Sequence, residues 1–132
     1  MNQPEFHKYY EEESERIFTE LNKLNEDVLL EIIAGKKKDR YNFRKGNDNY
    51  QIWRVFQTKG TEKSIKPLFE IVSNLKNEYL IRYHACNALF KIADLNDDEF
   101  KGQVQFGLNA EREKIDQQQA IEKLRTILKI EN

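Results

Sequence analysis

The sequence predicts an all-α protein of about seven helices, paired as hairpins in one domain over residues 1–132. Three observations lead there. Apolar residues recur at spacings of three, four and seven along most of the chain, while the alternating Val, Thr and Tyr runs that mark strands are missing. Two prolines and five glycines in 132 residues leave few helix breakers, and 34% charged residues supply polar outer faces. Finally, similar apolar stripes return about 35 residues apart, as stacked helical hairpins require. A chain of this length is expected to bury a real core as one domain.

The first helix is expected over residues 4–24, with Pro4 in its first turn and Phe6, Tyr10, Ile17, Phe18, Leu21 and Leu24 facing inward. Asn25 then offers an N-cap for a second helix over 26–34, which buries Val28, Leu29, Ile32 and Ile33 and stops at Gly35. Asn47 or Asp48 can cap a third helix reaching about residue 58, with Tyr50, Ile52, Trp53 and Phe56 as its apolar members. The stretch 61–93 holds the clearest hairpin. Thr61 is placed to cap its first helix, where Ile65, Leu68, Ile71, Val72 and Leu75 share a face, and the second carries a stripe of Ile81, Ala85, Ala88, Leu89 and Ile92. Asp94–Glu99 resembles half of a calcium loop, but Glu99 stands where a glycine is needed and Gln105 where a bidentate glutamate is needed. Those acids are read as caps of a helix over 99–109. A last helix over 115–130 presents Ala120, Ile121, Leu124, Ile127 and Leu128.

The spacing of these stripes is regular. Trp53 and Phe56 correspond to Leu89 and Ile92 at an offset of 36, and Ala120, Leu124 and Ile127 repeat Ala85, Leu89 and Ile92 at an offset of 35. Pro67, Ile81-Arg82, Ala85, Ala88-Leu89 and Ile92 together resemble the HEAT repeat of α-solenoids, over about a quarter of the chain. The resemblance implies a short right-handed superhelix of hairpins, with 61–93 as the best-matching repeat. Asn74 and Leu75 stand where the family carries an aspartate, Gln117 where it carries arginine, and Gly102 where Pro67 stood. These departures put in doubt the ion-pair ladder that the family builds between repeats.

Residues that carry chemistry are scarce. No glycine-rich phosphate loop, metal spacing or nucleophile elbow is present, and two histidines, His7 and His84, lack partners at metal-ligand spacing. The single cysteine, Cys86, reads as an apolar filler between Ala85 and Asn87. No enzyme, cofactor or metal is expected, the glycosylase and bilin-lyase activities of some HEAT-like folds included. Without an apolar stretch of membrane length or a leader, a cytoplasmic protein is expected, and its Lys, Glu, Asn and Ile content suggests a bacterial one.

Two surfaces are candidates for binding. Tyr79, Tyr83, Asn87 and Phe90 lie opposite the core stripe of their helix, either against further helices or on a concave face that grips another protein. Residues 1–27 hold eight acids against three bases, whereas 28–66 hold ten bases against four acids. Within the basic half, Lys36–Gly46 carries six bases with Tyr41 and Phe43 interleaved, either a solvated connection with core anchors or a phosphate-gripping segment. The expectation is non-catalytic binding of another protein, as adaptor or immunity-like inhibitor, by the aromatic face flanked by Lys37, Lys38, Arg40, Arg44 and Arg54. The alternative is nucleic acid, held by the basic segment 36–54 in the way some HEAT-like proteins hold DNA.

Overall fold

The computed structural model describes residues 3–96 and 114–130, which form six α-helices and no strand. These are α1 (Gln3–Asn22), α2 (Glu26–Ile33), α3 (Gln51–Lys59), α4 (Ile65–Ser73), α5 (Tyr79–Ile92) and α6 (Lys114–Leu128). Short 3-10 turns at Phe43–Lys45 and Glu62–Ser64 lead into α3 and α4. The helix expected over 99–109, and Gly102 within it, lie outside the described residues.

Helix boundaries follow local chemistry. The Asn25 side chain accepts the Val28 N–H at 2.9 Å, opening α2 as its capping role requires. Gly35, at φ +78°, closes α2: its N–H reaches the Ile32 carbonyl and that of Lys36 reaches Glu31, the paired bonds of a Schellman ending. The residue at the N-cap of α3 is Tyr50, and the buried Asp48 carboxylate two residues before it accepts the N–H groups of Tyr50 and Ile52 at 3.1 Å each.

One expected cap is corrected. Thr61 does not cap its own helix; α4 begins at Ile65, behind the 3-10 turn, and the Thr61 hydroxyl and N–H both donate to Glu26 of α2. The Ser64 hydroxyl donates to the same carboxylate, so an acid from the preceding hairpin closes the start of this one. Pro67 then falls in the first turn of α4, where its missing N–H is tolerated.

α1 packs against α3, and α3 against α5; α2 lies against α3, α4 against α5, and α6 touches α4. Polar bonds between successive units join residues 35 to 39 apart. Asn49 donates to Ser14, Arg54 meets Glu15, Lys59 donates to the Asn22 carbonyl, Lys63 meets Asp27, and Arg82 donates to Gln117. Beneath them Ile17, Leu29, Ile52, Trp53, Phe56, Leu68, Val72, Ala85, Leu89 and Leu124 form a continuous core, with Cys86 buried in it.

Tyr10 is the second correction. Expected inside, it is 45% exposed, because α1 runs 20 residues against nine in α3, about 30 Å against about 13 Å. Ser14 already reaches the residue before Tyr50, and the turns of α1 preceding it overhang the start of α3.

The Glu26 clamp yields a pH prediction. Burial alone would raise this carboxyl, but the hydroxyl of Ser64 and the N–H and hydroxyl of Thr61, with Lys63 nearby, hold it below the usual 4.5. A depressed folded-state pKa means that the stabilisation is complete above 4.5 and is lost as pH falls through the lower folded value. Glu26→Ala is expected to cost about 2 kcal/mol at neutral pH, and less in acid where the wild-type carboxyl is protonated. Denaturant titrations of both proteins across that range measure it; an equal cost at every pH would refute the clamp.

Candidate functional site

Four rings form a continuous run across the starts of α3 and α5. The Tyr50 and His84 rings stack at 4.3 Å between centroids and 18° between planes. His84 meets Tyr83 edge-on at 5.4 Å, and Tyr83 leans on Tyr79 at 6.0 Å. All four are partly exposed. The run exists because helical spacing sets Tyr79 and Tyr83 one turn apart, with Leu80 and His84 on the adjacent row. Tyr9 and Tyr10 are exposed on the overhang of α1, and Leu80, 41% exposed, directly follows Tyr79 on α5. Three of the four large apolar side chains exposed among the described residues are thus at this end of the molecule, Ile115 being the fourth.

Tyr50 reaches His84 through an unusual backbone. Asn49 and Tyr50 both adopt left-handed conformations, at φ 52° and 62°. An aromatic residue rarely does so. The buried Asp48 carboxylate holds both ends of this turn, and Gly46 makes room for the ring, since a Cβ there would stand 3.1 Å from the Tyr50 hydroxyl. Burial raises the Tyr50 phenol pKa, with the negative charge of Glu78 and the neighbouring groups Tyr10 and Asp48 adding to it. Burial raises the Asp48 carboxyl as well, against the two N–H donors that favour its charged form.

His84 makes the ring run sensitive to acid. Burial pushes its imidazole below the usual 6.5. The unfolded chain therefore takes up a proton first, so the ring's contribution to stability is complete above 6.5 and is lost as pH falls through the depressed folded value. His84→Phe keeps the stack without the titration and is expected to flatten the fall in denaturation midpoint between neutral and mildly acidic pH. An unchanged slope would exclude His84 as its source.

The expected site residues separate into groups. Tyr79 and Tyr83 belong to the ring run and Asn87 is half-buried beyond them, but Phe90 is 7% exposed and part of the core. The bases are not part of this run. Arg40 pairs with Glu20 near the far end of α1 and sits over the Tyr41 ring. Arg44 donates to the Ile33 carbonyl at the end of α2, and Arg54 pairs with Glu15 at 2.7 Å while covering Phe18. Lys37 and Lys38 are exposed beside a groove of about 280 Å³ lined by Leu21, Leu24, Val28, Ile32 and Tyr41. Phe43 is buried edge-on against Trp53, which leaves it no free face for a nucleobase. Its loop is fixed by Asp39, which accepts the N–H groups of Tyr41 and Phe43.

Tyr50 and His84 are the functional candidates that reading the residues one helix at a time passes over, Tyr50 as a core residue and His84 as packing or surface. Their separation of 34, one unit of the apolar period, is the signal that pairs them. Among the described residues no group of three or more His, Cys, Asp or Glu is placed to hold a metal ion, and no helix is long and apolar enough to cross a membrane. Comparison with protein-family models, with curated proteins and with solved structures finds no match for this chain.

Proposed function

We propose that the chain is a short right-handed α-solenoid similar to HEAT-repeat proteins, acting in the cytoplasm as a non-catalytic adaptor or immunity-like inhibitor that binds another protein. The repeat reading is supported by the polar bonds that join successive units 35 to 39 residues apart, matching the period of the apolar stripes. The binding reading rests on one observation above others. A left-handed Tyr50, held by a buried aspartate, carries its ring onto His84 to complete a partly exposed run of four rings. Backbone strain of this kind costs on the order of 1–3 kcal/mol and persists where a function selects it. Partly exposed tyrosines suit a protein interface, since each offers a large rigid surface and a hydroxyl.

The test is capture of partners from a lysate of the source organism by the wild type, by Tyr79→Ser with Tyr83→Ser, and by Lys37→Glu with Lys38→Glu, all confirmed as folded by circular dichroism. The tyrosine pair is expected to lose the captured protein and the lysine pair to keep it. The nucleic-acid alternative predicts the reverse, together with oligonucleotide binding that falls steeply with salt.

A further inference from the structure

We infer that the ring run receives an arginine-bearing segment of its protein partner, an inference that rests on the protein-binding reading above. The run from Tyr50 through His84 and Tyr83 to Tyr79 contains no lysine or arginine. The negative charge of Glu78 reaches the Tyr50 hydroxyl. Glu78 is exposed at the start of α5, directly before Tyr79, and Glu11 is exposed directly after Tyr10 on the overhang of α1. The nearby cations are held by other groups: Arg82, whose charge reaches Tyr79, is buried and donates to the Val72 carbonyl and to Gln117, Arg16 pairs with Glu13 and Glu20, and Arg54 with Glu15. What remains is a partly exposed run of rings with the Glu78 carboxylate beside it at the start of α5. A guanidinium suits it on both counts, because its plane stacks on tyrosine while its fork of donors matches a carboxylate; an ammonium has only the charge. An acidic segment would set like charge against Glu78.

The probe is a blocked nonapeptide of alternating glycine and arginine, compared with its lysine and glutamate counterparts in low-salt NMR titrations of the full chain. The arginine peptide is expected to shift the amides of Tyr50, Tyr79, Tyr83 and His84, and to bind several-fold more tightly than the lysine peptide. Glu78→Gln and Tyr83→Ser are each expected to weaken it by about fivefold, a typical loss for one exposed ion-pair or cation–π contact. Equal binding of the glutamate peptide at the rings, or arginine-induced shifts confined to residues 11–15, would overturn the inference. An arginine peptide that neither shifts these amides nor displaces the captured protein also overturns it, while the protein-binding reading stands as long as Tyr79→Ser with Tyr83→Ser abolishes capture. Capture that survives the tyrosine pair defeats that reading itself.

Discussion

Replacing Trp53 by alanine is expected to cost about 4 kcal/mol, the largest effect of any single truncation among the described residues. Trp53 is the sole tryptophan and is 1% exposed in the first turn of α3. Phe43 meets its ring edge-on at 5.4 Å, and Phe56 lies nearly parallel at 6.3 Å. Truncation therefore opens a cavity bounded by the loop before α3 as well as by the helix, and the loop, held by Asp39, cannot collapse freely into it. The indole N–H finds no acceptor among the described residues, so phenylalanine forfeits area but no hydrogen bond. Trp53→Phe is accordingly expected to cost only about 1–2 kcal/mol. Urea titrations followed by circular dichroism measure both; an alanine variant within 1 kcal/mol of the wild type would remove Trp53 from the core.

Arg82→Met is expected to cost about 3 kcal/mol, because the buried guanidinium ties three helices together. Arg82 is 2% exposed on α5; its Nε donates to the Val72 carbonyl at 2.8 Å and one Nη to the Gln117 side chain at 2.9 Å. Val72 lies in the last turn of α4, whose carbonyls have no acceptor role left within the helix, and Gln117 lies on α6. Methionine fills much of the volume but leaves both acceptors without this donor. Arg82→Lys can reach one of them, so an intermediate loss is expected. In a double-mutant cycle with Gln117→Met the two losses should not add, since one bond is shared. Full additivity would mean that the bond across to α6 contributes nothing.

Much of this fold was legible because its helices obey local rules. The 3.6-residue stripes located α2, α4, α5 and α6, and Asn25 and Gly35 bounded α2 by capping chemistry that a reader of sequence can apply directly. The start of α4 was not legible, because Thr61 looks like a cap to anything that considers only its own helix, while the carboxylate it meets is 35 residues earlier. Tyr10 fits an inward stripe by spacing, yet spacing says nothing of how far a neighbouring helix extends. Arg82 shows a subtler case. Asn74 and Leu75 stand in place of the family's aspartate and Gln117 in place of its arginine, and Arg82 donates instead to a helix-end carbonyl and to that same glutamine.

The candidate surface was half legible. Helical spacing put Tyr79 and Tyr83 together on α5, but grouped Phe90 with them although it turns into the core. Charge counting joined the bases of 36–54 to the rings, whereas Arg40 and Arg44 are held at the ends of α1 and α2 away from them. Tyr50 stands about one unit before His84 in the sequence, but the left-handed backbone that carries its ring there is not written in that spacing.

The most direct measurement is hydrogen–deuterium exchange on the chain alone and bound to its captured protein. Protection is predicted over residues 79–87, the turn at 47–51 and the overhang of α1 around Tyr10. Protection confined to residues 36–45, with the ring run exchanging as in the free chain, would contradict the assignment of the binding surface.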